Sequence, residues 1–266
     1  MPMAETPCLD VRGVSKTFRD GAQTVTALED VSLSARLGEF ITIIGPSGSG
    51  KSTLFNLITG LTEPDTGEIV IDCGPAHKRA GRVGYMPQRD LLLPWRTVLD
   101  NVILGPELDG RPRGEARRRA REMMPLFGLA GFEDAFPATL SGGMRQRAAL
   151  LRTFLTDRDV LLLDEPFGAL DALTRHELQR WLLDVWQRFQ KTILFITHDV
   201  EEAVFLADRV LVFSARPGRI VKELHVTLPR PRQAISLLST ELRAMEVELL
   251  ETLRAANGDP ALPEVR

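Results

Sequence analysis

Two apolar rhythms divide the chain. As far as Gln88, short apolar runs alternate with turn residues: LDVRGVSKTF, TVTAL after the Asp20-Gly21 pair, FITIIG and GEIVID. Runs this short, bounded by Gly, Asp and Pro, predict strands. Beyond Gln88, the stretches Asn101 to Leu104, Glu115 to Phe127 and Met144 to Phe154 carry apolar residues at helical spacing, which predicts a helical lobe set into a sheet-based core. Strand runs resume at VLLLD from Val160, TILFIT from Thr192 and RVLVF from Arg209, with amphipathic helical stretches between them. These runs are continuous rather than alternating, as expected of parallel strands covered on both faces, so the predicted fold class is α/β. Past LPRPR at Leu228, too proline-rich for a central strand, Leu238, Leu242, Met245, Leu249 and Leu253 mark one amphipathic helix. That helix either packs on its own domain or makes a regulatory or dimer contact, and a polar tail follows from Asn257. The division expected is one domain over 1–227, with its helical lobe at about 89–158, and a helix and tail over 228–266.

With 266 residues and 44% hydrophobic composition, the chain can bury a full-sized core. Its net charge of −3 gives no overall pull toward nucleic acid or anionic lipid. Cys8 and Cys73 lack the spacing of a zinc site or a disulfide framework, which fits a reducing compartment. The start MPMAETPCLDV lacks the apolar stretch of a signal peptide, and FITII and VLLL fall far short of the roughly 20 residues of a membrane span. A membrane would then be reached only through a partner.

The segment FITIIGPSGSGKST fits G-x-x-x-x-G-K-[ST], directly after a predicted strand and before the apolar helix TLFNLITG. Glycines let such a loop turn its N–H groups inward around phosphate oxygens, and the helix start adds its positive dipole end. Gly45, Pro46, Ser47, Gly48, Ser49, Gly50, Lys51, Ser52 and Thr53 are the candidate nucleotide-binding residues. Lys51 supplies charge for the β- and γ-phosphates, and the Ser52 hydroxyl can ligate Mg²⁺. VLLLDEP sets Asp164 and Glu165 at a strand's C-terminal end, where open α/β sheets bind ligands. Asp164 would hold Mg²⁺, directly or through water, and Glu165 would polarise the attacking water. TILFITHD delivers His198 to the same edge, either for the γ-phosphate or as a plain helix cap. LSGGMRQR starts a further helix with a capping serine and two glycines, which is either a second anion site or an ordinary loop.

In this order the motifs resemble the ATP-binding-cassette ATPases: GPSGSGKST as Walker A, Gln88 in YMPQ as the Q-loop, LSGGMRQR as the signature, VLLLDEP as Walker B, GALD ending at Asp171 as the D-loop, and His198 as the switch histidine. The resemblance implies a P-loop NTPase core with an antiparallel β portion and an inserted helical lobe. It also implies ATP and Mg²⁺ as cofactors, with Ser52, Gln88 and Asp164 at the metal. Glu165 and His198 become catalytic, while Ser141, Gly142, Gly143 and Gln146 act in trans on the nucleotide of a second copy in a head-to-tail dimer. Phe18 falls where the family stacks an aromatic on adenine, although a core role also suits it. In RDLLLPWRTV, Leu91, Leu92, Leu93 and Trp95 either pack inside the helical lobe or meet a permease, as the family's do.

The arginine run from Arg111 to Arg121 is interrupted by Glu115, which reads as a solvated helix face and not as a nucleic-acid site. PWRTVLDNV, DEPFGALDALTR, RPGRIVKEL and LPRPR resemble the nitrate, sulfonate and taurine importer ATPases. This similarity implies uptake of a small solute from the cytoplasmic face of the cell membrane, with permease subunits and a periplasmic solute-binding protein. The alternatives are an ABC-type mechanical ATPase of DNA repair or translation, whose coiled-coil insertion or tandem cassette is missing here, and a P-loop small-molecule kinase.

Overall fold

The computed structural model describes residues 7–21, 23–71, 80–232 and 239–257. A long hairpin, β1 (Leu9–Asp20) and β2 (Gln23–Ala35), pairs with β4 (Thr66–Ile71) in a three-stranded antiparallel sheet ordered β2-β1-β4. A second sheet runs β5-β6-β7-β3-β8-β9. Its members are β3 (Phe40–Ile44), β5 (Val83–Met86), β6 (Val160–Asp164), β7 (Thr192–Ile196), β8 (Arg209–Phe213) and β9 (Ile220–His225). The first five in that row pair in parallel, and β9 closes one edge antiparallel. Every residue of β3, β6 and β7 is buried, which accounts for their unbroken apolar runs.

Helices cover the second sheet. Helix α1 (Lys51–Thr59) follows β3, whereas α6 (Ala172–Phe189) and α7 (Val200–Leu206) follow β6 and β7. Between β5 and β6 the chain forms α2 (Val98–Val102), α3 (Leu104–Leu108), α4 (Arg113–Met123) and α5 (Gly142–Phe154). Arginines of the basic run are spent locally: Arg113 and Arg117 pair with Asp100, Arg118 with Glu122, and Arg119 with Asp157.

The LPRPR stretch is a fastening. Arg230 stacks 4.0 Å over the Trp186 ring and bonds Asp208, while buried Arg232 donates to the carbonyls of Val204, Phe205 and Ala207 at the end of α7. Burial pushes the Arg232 guanidinium down to about 10. Helix α8 (Thr240–Ala256) then buries Leu242 and Leu249 in the larger core cluster, with Met245 and Leu253 against it. Leu238 lies outside the described residues.

One sequence expectation is corrected. Cys8 is disulfide-bonded. Spacing along the chain is blind to this because β1–β4 pairing sets Leu9 opposite Ile71, bringing the start of one strand to the end of the other; Cys73 itself lies outside the described residues.

Leu249 is fully buried, so Leu249→Ala removes packing and leaves a cavity. Urea unfolding is expected to show a loss of about 2–4 kcal/mol. A loss near zero would mean that α8 contributes nothing to the core.

Candidate active site

The parallel strand order brings together what the sequence separates. Strands β6, β7 and β3 are neighbours, so the loops after Asp164, Ile196 and Ile44 leave the same sheet edge side by side. A cavity of about 320 Å³ opens there, lined by Ser47 to Thr53 with Gln88, Glu165, Ala27 and Arg216.

The phosphate loop is held by close packing. A Cβ on Gly45 would sit 2.8 Å from Phe213 Cβ, and one on Gly50 would sit 2.6 Å from the Ala27 carbonyl oxygen. Gly50 also caps α1 at φ 96°, a left-handed backbone that favours glycine. Lys51 is only 7% exposed, and its ammonium donates to the carbonyls of Gly45 (2.8 Å) and Pro46 (2.9 Å) and to Ser49 Oγ (3.2 Å). Burial holds its pKa below the ordinary lysine value, while Glu165 and Asp164 act in the opposite direction.

Asp164 is 4% exposed, and burial raises its carboxyl pKa although Ser52, Lys51 and Tyr85 favour the anion. Tyr85, which donates to Asp164, is pushed up to about 12, chiefly by its own burial. Glu165 follows with φ 45°, a left-handed backbone costing about 1–2 kcal/mol for a residue with a Cβ. Its amide donates to the Ile196 carbonyl at 3.0 Å. Glu165 Oε2 accepts from Gln88 Nε2 at 3.1 Å and lies 3.3 Å from His198 Nδ1. Capping of α7 falls to the next residue, Asp199, which accepts from Glu202 N, so His198 is not the cap.

The remaining candidates stand apart. Phe18 is 44% exposed on the β1–β2 hairpin and is not a core residue. Ser141 caps α5 by accepting from Met144 N at 3.2 Å, and Asp171 caps α6 by accepting from Thr174 N at 3.0 Å. Neither they nor Gly142 and Gly143 line the phosphate cavity. Gly142 and Gln146 instead border a second cavity of about 400 Å³ with Gln88, Asp90 and Leu91. Gln146 is buried, and its Oε1 has no hydrogen-bond partner among the described residues. Of RDLLLPWRTV, Leu92 is buried, whereas Leu91 and Trp95 are exposed, Trp95 by 72%. Sequence reasoning missed Tyr85 and Arg216; Tyr85 lies inside the quoted YMPQ, and Arg216 opens RPGRI.

A sequence profile of ABC transporters matches residues 28–168. The chain belongs to the ABC transporter family. It is 41% identical to the aliphatic sulfonates import ATP-binding protein SsuB of Bacillus cereus, over 91% of this chain and 96% of that one. Identity to the formylaminopyrimidine import ATP-binding protein ThiZ of Halalkalibacterium halodurans is 44%, over 85% and 92%. The fold superposes with a TM-score of 0.71, at 31% identity, on a dimeric post-hydrolysis ATP-binding cassette bound to ADP and Pi, covering 83% of this chain and 100% of that one. This ABC protein is an ATPase that hydrolyses ATP to ADP and phosphate in step with transport.

Asp164 supplies a pH test of the site. Its folded-state pKa is raised, so the folded chain holds that proton to higher pH than the unfolded chain does. Stability is therefore lost as pH rises from the unfolded Asp range through the folded pKa. Asp164→Asn lacks this loss: without nucleotide, its melting temperature is expected to exceed the parent's at pH 8, with the gap closing toward pH 4. A gap that widens on acidification would show the buried carboxylate to be net stabilising.

Proposed function

We propose that this ATPase energises uptake of a small solute, two copies closing head to tail around two ATP molecules on the cytoplasmic face of a membrane permease. The observation that carries the chemical reading is the Glu165 carboxylate, fixed between Gln88 and His198 at the mouth of the phosphate loop. A water beside the γ-phosphate would give its proton to Glu165 as its oxygen bonds to phosphorus and the bond from that phosphorus to the ADP oxygen breaks, releasing ADP, and His198 and Gln88 hold that carboxylate in place. Lys51 would exchange its carbonyl partners for phosphate oxygens, joined by the N–H groups at the start of α1.

Mg²⁺ fits the donors present. The Ser52 hydroxyl, the Gln88 amide oxygen and the Asp164 carboxylate are hard oxygen ligands, and Asp164 is a buried acid with a raised pKa. Bound there, the ion would neutralise charge on the β- and γ-phosphates.

Because Ser141, Gly142 and Gly143 do not line the phosphate cavity of their own chain, they are assigned to the nucleotide of a second copy, as is Gln146, which borders the second cavity with Gly142. Phe18, exposed on its hairpin, is assigned to adenine. Contacts from both copies to one γ-phosphate would be lost on hydrolysis, so closure follows nucleotide state. The permease is assigned to Leu91 and Trp95. Asn101 pins their loop through the Leu93, Arg96 and Thr97 carbonyls and the Leu93 amide, so the exposed apolar side chains sit on ordered backbone. Import is supported by relatives named as aliphatic sulfonates and formylaminopyrimidine import ATP-binding proteins, and the same names weigh against the mechanical-ATPase and kinase alternatives; a periplasmic solute-binding protein behind the permease completes the proposed importer.

Glu165→Gln is expected to keep ATP binding, reduce turnover at least about a hundredfold and accumulate a nucleotide-bound dimer on size exclusion. Turnover at the parent rate would remove Glu165 from the mechanism. Reconstituted with its permease in vesicles, the ATPase is expected to accelerate with a transported sulfonate or pyrimidine. Failure to co-purify any membrane protein would overturn the importer reading.

A further inference from the structure

We propose that Arg216 is a nucleotide-binding residue that places a second positive charge, beside that of Lys51, on the non-transferred phosphates. Of the described residues lining the phosphate cavity, Lys51 and Arg216 alone are cationic. The Lys51 ammonium is surrounded by loop oxygens, whereas the Arg216 guanidinium donates its Nε–H to the Gly48 carbonyl at 3.1 Å and carries four more N–H donors on its Nη atoms.

Position favours this role over that of a loose surface arginine. Every parallel strand contributes to the site from its C-terminal end: Gln88 after β5, Asp164 and Glu165 at β6, His198 after β7, the phosphate loop after β3, and Arg216 after β8. The loop carrying Arg216 is fixed at several points. Gly218 N donates to the Ala27 carbonyl (2.9 Å), Glu29 N to the Gly218 carbonyl (3.0 Å), Ser214 Oγ to the Pro217 carbonyl (2.9 Å), and Ala215 N to the Ala256 carbonyl at the end of α8 (3.2 Å). A Cβ on Gly218 would fall 2.0 Å from the Ser49 carbonyl oxygen, so this loop and the phosphate loop are in backbone contact.

The strand order also decides which phosphates Arg216 serves. Glu165 approaches from the β6 side of β3 and Arg216 from the β8 side, so the two reach the shared cavity from opposite flanks of the phosphate loop. Its charge therefore acts on binding and not on the chemical step.

The inference rests on the cavity being the nucleotide site, and the experiment separates the two. Calorimetric ADP binding and steady-state ATPase kinetics are compared for the parent, Arg216→Ala, Arg216→Gln, Arg216→Lys and Lys51→Ala. Arg216→Ala and Arg216→Gln are expected to weaken ADP and raise KM for ATP about tenfold, with kcat changed by less than about twofold. Arg216→Lys keeps the charge and is expected to stay within about threefold of the parent. The loss should shrink as salt is added. Parent-like ADP affinity in Arg216→Ala beside a loss in Lys51→Ala overturns this inference alone; parent-like affinity in both overturns the cavity assignment. Because Arg216→Gln retains a donor for the Gly48 carbonyl, parent-like affinity in that variant, or a loss insensitive to salt, would reduce Arg216 to a positioning role and overturn its direct contact.

Discussion

The proposed chemistry depends on keeping the backbone from Gly45 to Gly50 in one shape with its N–H groups available. Hydrogen bonds alone would leave such a loop adaptable. Here it is wedged: Gly45 against Phe213, Gly50 against Ala27 and Leu28, and Ser49 against Gly218, at separations that leave no room for a Cβ. The wedge joins both sheets, since Ala27 and Leu28 come from the antiparallel sheet and Phe213 from the parallel one. The phosphate loop therefore holds this shape only with the two sheets docked, which makes the antiparallel portion part of the proposed active site.

Electrostatics inside that frame are unfavourable without a ligand. Lys51 and Asp164 are both buried, and for each the loss of water outweighs the neighbours that favour its charge. Glu165 adds a left-handed backbone. A fold optimised for stability alone would remove all three costs, and their clustering at one sheet edge is what the proposed binding of a charged ligand there would offset.

How much of this could be read beforehand followed from physical locality. Strands β3, β6 and β7 are buried on both faces, so their apolar runs are conspicuous, and the phosphate loop, Asp164, Glu165 and His198 follow directly from them. Strand β5 escaped notice because it has four residues, one of them Gly84, whose Cβ would meet Leu161 at 2.7 Å. Strand β9 is an edge strand, half-buried and exposed by turns, and carries no continuous apolar signal. Arg216 and the bonded state of Cys8 were illegible for another reason: each takes its meaning from strand order or register, which joins residues far apart in the chain.

The same topology explains how one small site can be felt at a distance. Gln88 borders both the phosphate cavity and the second cavity, with its amide on Glu165. Two residues on, Arg152 of α5 grips the Asp90 and Leu91 carbonyls, and Leu91 is held at φ 45° with its side chain exposed. Arg152 sits on the helix that Ser141 caps, so the Q-loop, the helix start and the exposed Leu91 are fastened as one body. Packed groups of this kind shift together or not at all. A change at the Glu165 carboxylate that moves Gln88 must therefore strain the Arg152 contacts or carry α5 with it, and in the second case the exposed apolar loop and the Ser141 helix start would be displaced as a unit.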